Sequence, residues 1–332
     1  MVEFGFQLGN QELLRIRDLA QAADELGFDV IGFADHLIYE GPERQMDPKT
    51  LVPDAIGVAA MAAAVTRRIR IGHFVLCNLF RHPAFTAQAL STLDNISGGR
   101  MFAGLGTGWT ETEFRMMNMP FPPIGERLEM LDESIQCIKS LWSDERANFR
   151  GKHYQLSDAV LWPKPVQKRP PILLGGSGNG LMRIAAKHAD YLNLIPPAGK
   201  VGKFSIENVR RMNDEAVQER VRFLRAETAR VGRDPKAIKI SNMIFMFSLT
   251  DTDAAARQMH EAIAPMMGMT ADGIANSPLV LIGTPERCAA ELTRRAKEWS
   301  IDQFIFSFQL GPDENVMRRI RDKVIPGVSA AP

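Results

Sequence analysis

Residues 11–36, QELLRIRDLAQAADELGFDVIGFADH, hold the pattern that decides the fold. Leu13, Ile16, Leu19, Ala20, Ala23 and Leu26 recur at helical spacing and mark one apolar face. Gly27 stands where that helix ends, since glycine enters the left-handed backbone region without steric cost. Val30-Ile31-Gly32-Phe33 is then apolar without alternation, as a strand buried on both faces of a parallel sheet must be. A helix that delivers the chain into such a strand is the joint of a βα repeat.

The joint returns along the chain. Ala185-Ala186-Lys187-His188-Ala189-Asp190 leads into 191–194, and Ala296-Lys297-Glu298-Trp299 leads into 303–308. Strands are expected near 4–7, 30–33, 70–76, 101–105, 172–174, 191–194, 239–247 and 303–308, with helical patterns after each. Eight is the closure number of the common barrel. An open doubly wound sheet would also alternate, but it usually has fewer strands and would need a second domain, for which no linker is visible. The expectation is an α/β protein, a (β/α)₈ TIM barrel forming a single domain over 1–332, with insertions at the C-terminal face near 143–171, 196–212 and 266–280.

Each insertion has its own character. Phe149-Arg150-Gly151-Lys152-His153-Tyr154 and Trp162-Pro163-Lys164-Pro165 suit a hairpin and an extended connector. Pro196-Pro197-Ala198-Gly199-Lys200 leaves the catalytic end of a strand and is a candidate lid. Met266, Met267 and Met269 point to an apolar guest, or to the filling of core gaps.

Composition excludes several function classes. The 332 residues are 45% hydrophobic and can bury a large core, while a net charge of +1 without a basic run argues against nucleic-acid and anionic-membrane partners. MVEFGFQLGN has no secretory pattern and no window reaches bilayer length, so a soluble cytoplasmic protein is expected. Cys77, Cys137 and Cys288 are too few and scattered for a disulfide framework, and without CxxC or HExxH spacing no metal is expected.

Barrel enzymes place their chemistry at the C-terminal strand ends, which here are Gln7, Asp35-His36, 76–78, 106–109, 175–178, Asn193, Phe247 and Gln309. Asp35-His36 is the sharpest pair: an imidazole can move a proton near neutral pH, and an adjacent carboxylate can bias its charge. A capped loop in which His36 satisfies backbone groups is the competing reading. Gly104-Leu105-Gly106-Thr107-Gly108-Trp109 has GxGxGx spacing on a strand, and is no dinucleotide fingerprint. Its small residues either let a flat ring lie close, with Trp109 as a wall and Thr107 as a hydrogen-bond contact, or make a tight barrel corner. Gly175-Gly176-Ser177-Gly178, between a strand and a helix, is a natural phosphate cradle or a plain glycine turn. Thr284-Pro285 reads as a helix start, and so does Arg81-His82-Pro83, with His82 structural. Cys77 lacks a base beside it. Glu113 and Arg127 read as loop-to-helix anchors or as surface charges.

Taken together these residues resemble the bacterial-luciferase-like superfamily, barrel oxidoreductases that use reduced flavin or its 5-deaza analogue. The likeness covers most of the chain. It is carried by Gly27-Phe28-Asp29 leading to Asp35-His36-Leu37, by Arg81-His82-Pro83-Ala84, and by Thr92-Leu93-Asp94-Asn95-Ile96-Ser97-Gly98-Gly99-Arg100 running into the 104–109 glycines. Pro163-Lys164-Pro165, Gly175-Gly176 and Gly283-Thr284-Pro285-Glu286 add to it. Where the family often has Asn-Pro-Tyr before Arg-His-Pro, this chain has Asn78-Leu79-Phe80.

The resemblance implies a flavin-like ring at the C-terminal mouth, lying against a third-strand bulge with a non-proline cis peptide near Phe74-Val75. His36 would face its reactive edge, Thr107 and Gly108 its pyrimidine side, and 175–178 its phosphate. Gln7, Trp109 and Asn193 are the candidate substrate contacts. The Asp-His pair and Gly-Thr-Gly resemble members that use 8-hydroxy-5-deazaflavin (coenzyme F-420), which passes hydride and reacts poorly with oxygen. The alternatives are an FMN-dependent monooxygenase fed by a separate flavin reductase, and a non-catalytic flavin-binding barrel. Homodimerisation through outer helices is implied by the family.

Overall fold

Eight parallel strands close into a barrel in the computed structural model, which describes residues 2–38, 49–196, 206–308 and 313–329. They are β1 (Glu3–Leu8), β2 (Val30–Phe33), β3 (Arg70–His73, resuming at Leu76–Cys77), β4 (Met101–Gly106), β5 (Ile172–Gly175), β6 (Tyr191–Leu194), β7 (Lys239–Ile244) and β8 (Gln303–Phe308). Each pairs with the next, and β8 pairs with β1 to close the ring.

The apolar runs are continuous because both strand faces are covered. Val30, Phe102, Leu173, Tyr191, Met243 and Ile305 fill the barrel interior. The alternate residues, among them Ile31, Ala103, Leu174, Leu192, Ile240 and Phe304, pack outward in the core shared with the helices. The expected helix, Leu13–Glu25, buries Ile16, Leu19, Ala20 and Ala23, and Gly27 follows it at φ 77°.

Two strands are irregular, the third as the family resemblance implies and the seventh against expectation. The third breaks after His73 into a bulge containing a cis Phe74–Val75 peptide, then resumes against Leu105 and Gly106. Gly104 is what admits this bulge: a Cβ there would lie 1.7 Å from the His73 carbonyl oxygen. The expected strand 239–247 ends at Ile244, and Met246–Leu249 leaves to pair with Val280–Gly283. That departure takes Phe247 from the expected strand end and packs it edge-on against Phe306, at 4.9 Å.

Within 143–171, Ala147–Arg150 and Gln155–Ala159 form an antiparallel pair, whose turn gives three backbone N–H groups to Glu133. The connector that follows is strapped to helix Pro83–Ser97, where Asn95 donates to the Lys164 carbonyl at 2.8 Å and Asp94 accepts the Gln167 N–H at 2.9 Å. Of the candidate lid, 197–205 lies outside the described residues, as does Gln309. In the third insertion Met267 and Met269 pack with Ile274 and Val280, as gap fillers do, while Met266 is exposed. Fully buried Arg295 donates to the carbonyls of Ser277, Pro278 and Val280 and so fixes that turn.

Among the described residues no helix is long and apolar enough to cross a membrane. The three cysteines are free and buried. Burial pushes the Cys77 and Cys288 thiols up to about 12, where no useful thiolate exists near neutral pH.

Candidate active site

Asp35 and His36 follow β2 after Ala34, yet their side chains serve different partners. The buried Asp35 carboxylate takes both Arg81 nitrogens, at 2.6 and 3.1 Å, and the Cys77 backbone N–H at 2.9 Å. Arg81 also reaches Asp54, the N-cap of helix Ala55–Val65, at 3.1 Å. His36 pairs instead with Glu113: Nδ1 lies 3.1 Å from Oε1, which also accepts the Leu37 N–H at 2.7 Å. The carboxylate bonded to the imidazole is therefore Glu113, not the neighbouring Asp35.

Glu113 is 3% exposed against 27% for the His36 side chain, so a buried carboxylate backs an imidazole that reaches the mouth. With Nδ1 donating to Glu113, Nε2 is the nitrogen left for a reacting group. Trp109 meets the imidazole edge-on, ring centroids 5.8 Å apart, and forms the adjoining wall. A cleft beside it is lined by Gln7, Asn10, Ala34, His36, Ile38 and Val52.

The bulge is fixed from inside the barrel. Gln7 donates from Nε2 to the Phe74 carbonyl at 3.4 Å, and its Oε1 accepts the Ser307 hydroxyl at 2.9 Å. Gln7 is 3% exposed and supports the bulge from below. Val75 lies against Gly106 and Gly175, where an added Cβ would come within 2.5 and 3.1 Å of its side chain. The glycines on β4 thus make room for the bulge itself.

His73, just before the bulge, is fully buried, and neither ring nitrogen has a hydrogen-bond partner; the Ala55 backbone approaches the ring without adequate geometry. Burial pushes its pKa from 6.5 down to about 4, opposed by Asp35 and Asp54 and reinforced by Arg81. The folded protein holds the ring neutral, whereas the unfolded chain protonates near 6.5. This stabilisation is complete above that pH and is lost as pH falls toward 4, by about 3 kcal/mol. Urea unfolding between pH 7 and pH 4 should show a flatter decline for His73→Asn than for the parent; parallel profiles would contradict the buried neutral ring.

At the end of β4, Thr107 bonds only weakly, to the Gly108 carbonyl at 3.4 Å, and Gly108 has φ 72°. Buried Arg127 donates to that same carbonyl and lies 4.0 Å over the Phe121 ring. Just past β5, Gly176 has φ 142° and gives its N–H to the Asn193 carbonyl. Ser177 is buried and spends its hydroxyl proton on the Ile195 carbonyl. Gly178 begins helix Asn179–His188 without a side-chain cap, and a Cβ there would meet nothing within 4 Å. Asn193 is 2% exposed, inside the barrel beneath this turn.

The structure thus brings His36, Trp109 and the bulge to one mouth, with Gln7 and Asn193 as its floor. Glu113 and Arg127 prove to be buried anchors, and Glu113 is the residue sequence reasoning undervalued. Its place in the first turn of the short helix Glu111–Met116 that follows β4, four residues after Trp109, is the available signal. His82 caps its helix by accepting the Ala84 N–H, and Thr284 caps with Pro285 in the first turn.

The chain is thus a closed (β/α)₈ barrel that carries a histidine–carboxylate pair and the third-strand bulge at its C-terminal mouth. The chain belongs to the luciferase-like monooxygenase family, whose model matches residues 3–303. An F420-dependent glucose-6-phosphate dehydrogenase from Microbacterium testaceum is 35% identical over 58% of this chain and 54% of its own. The chain therefore spans about half the length of that curated relative. Pyrimidine monooxygenase RutA from Acinetobacter baylyi is 30% identical over 72% of this chain and 60% of its own. The fold matches an F420-dependent secondary alcohol dehydrogenase solved with an F420-acetone adduct, with TM-score 0.77, 20% identity and 99% of each chain covered. It also matches long-chain alkane monooxygenase LadA, with TM-score 0.76, 19% identity and 98% and 90% covered.

Proposed function

We propose that this protein moves two electrons, as hydride, between a bound deazaflavin, coenzyme F-420, and a small apolar organic substrate. The observation that carries the reading is the His36–Glu113 pair: a buried carboxylate fixes one imidazole nitrogen and leaves the other at the mouth. Hydride leaving an alcohol-type carbon must be accompanied by loss of a proton, and His36 Nε2 is the group able to take it. Glu113 balances the charge the imidazole then carries.

The residues present fit a phosphorylated flavin. Gly178 faces open space at an uncapped helix start, where first-turn N–H groups and the helix dipole favour an anion. Gly175, Gly176 and Gly178 would hold the phosphate through their backbone, with Ser177 shaping the turn from its buried site. Phe74 and Val75 would back the ring, with Thr107 and Gly108 at its edge. When bound, the deazaflavin supplies a carbon that accepts or gives hydride. In this reading Asp35 acts through Arg81 to position His36, while Trp109 walls the substrate space. The naming of several relatives as F420-dependent supports this cofactor.

The relative named as a pyrimidine monooxygenase favours a second reading, FMN-dependent oxygenation with a separate reductase. Titrating the apoprotein with each cofactor, followed by fluorescence, separates the two. Micromolar binding of the deazaflavin but not of FMN is expected. Binding of FMN alone would replace the first reading with the second, and binding of neither would remove both.

A further inference from the structure

Strand register gives the barrel interior a continuous polar row. Glu3 on β1 pairs with Gln303 on β8, Gln303 with Ser241 on β7, Ser241 with Asn193 on β6, and Asn193 with Gly175 on β5. Barrel strands tilt, so a row of register neighbours climbs as it circles the axis. This one starts at the first residue of β1, at the N-terminal face, and ends at the last residue of β5, at the glycine turn of the mouth. Its side chains point inward, two positions from Gly5, Ile305, Met243 and Tyr191 respectively, of which the last three line the inner core.

The lower end of the row is saturated. Glu3 holds Arg70 at 2.7 Å, Lys239 at 2.9 Å and the Gln303 amide at 2.9 Å. The next three members are not. Gln303 Oε1, Ser241 Oγ and Asn193 Oδ1 are each buried without a hydrogen-bond partner, in residues 2%, 0% and 2% exposed. Buried polar atoms are almost always satisfied, by protein or by ordered water. Three unsatisfied oxygens stand on consecutive register positions of the inner wall, and a polar lining of this kind retains water where an apolar lining stays dry.

We propose that this row binds a file of ordered waters inside the barrel, running from the Glu3 cluster to Asn193 beneath the glycine turn. Each water would donate to one of the three oxygens and bridge to the next, and the uppermost would fix the orientation of the Asn193 amide at the floor of the mouth. The site is a property of the barrel and stands apart from the cofactor reading.

A crystal structure of the protein at a resolution that shows ordered water tests it directly. Density is expected within hydrogen-bond distance of all three oxygens. An empty strip overturns the proposal, and so does density with the short contacts and multiple ligands of a cation. Magnetic relaxation dispersion of labelled water gives an independent readout on the same protein in solution. Ser241→Val, which removes the middle oxygen and fills its space, should lose part of the long-lived water signal, while Ser241→Thr should keep it. Equal signals in the parent and the valine variant, both folded by circular dichroism, would refute the file.

Discussion

His36→Ala is expected to lower kcat by about 10²- to 10⁴-fold, the range supplied by a positioned general acid or base. The imidazole is the titratable side chain that reaches the mouth at Trp109 and has its other nitrogen fixed by a buried carboxylate. Cofactor affinity should change by only a few fold, because 175–178 and the third-strand bulge, rather than His36, would hold that group. Glu113→Gln preserves an oxygen for the Leu37 N–H while deleting the charge beside the ring, so it should fold and lose less rate than His36→Ala. Single-turnover kinetics with each variant measures both effects. If His36→Ala turns over like the parent, the imidazole has no proton to move and the role assigned to it fails.

The route to that pair shows what a sequence does and does not encode. Barrel architecture is legible because it is written locally: helix face, Gly27 and an uninterrupted Val30–Phe33 run repeat a single joint, and both packing faces of each strand leave their mark on composition. Caps are local too, which is why His82 and Thr284 were readable. Strand 239–247 was overextended because Met246–Leu249 is as apolar as the barrel strand it follows, and only its partner, Val280–Gly283, reveals the departure. Glu113 lies 77 residues from His36, and no local pattern joins them. Asp35 misled for the complementary reason. Neighbours leaving a strand project to different sides, so adjacency in sequence makes a shared hydrogen bond less available, not more. The third-strand bulge is implied by the family resemblance alone, because its cause, the missing side chain at Gly104, is a close approach to His73 on the neighbouring strand that no local pattern records.

Arg81→Met is expected to destabilise the fold by about 3–5 kcal/mol, as is usual when one partner of a buried ion pair is removed and the other is left behind. Asp35 would keep only the Cys77 N–H, and its side chain is 4% exposed, too enclosed for water to replace the guanidinium. The double variant Arg81→Met/Asp35→Leu should recover part of the loss, because replacing both charges avoids stranding either one. Urea unfolding of the three proteins measures the coupling. A loss under about 1 kcal/mol would mean that the pair behaves as a surface ion pair. Activity should fall together with stability, and the geometry says why. Arg81 and Asp35 tie the end of β2, the Cys77 end of the bulge and the Asp54 cap into one unit. His36 is bonded in sequence to one side of that unit and Val75 lies two residues from another, so loosening it shifts the imidazole relative to the surface that would back the ring. In the proposed reading Asp35 thus contributes to the site by holding it in place, and the proton chemistry rests with His36 and Glu113.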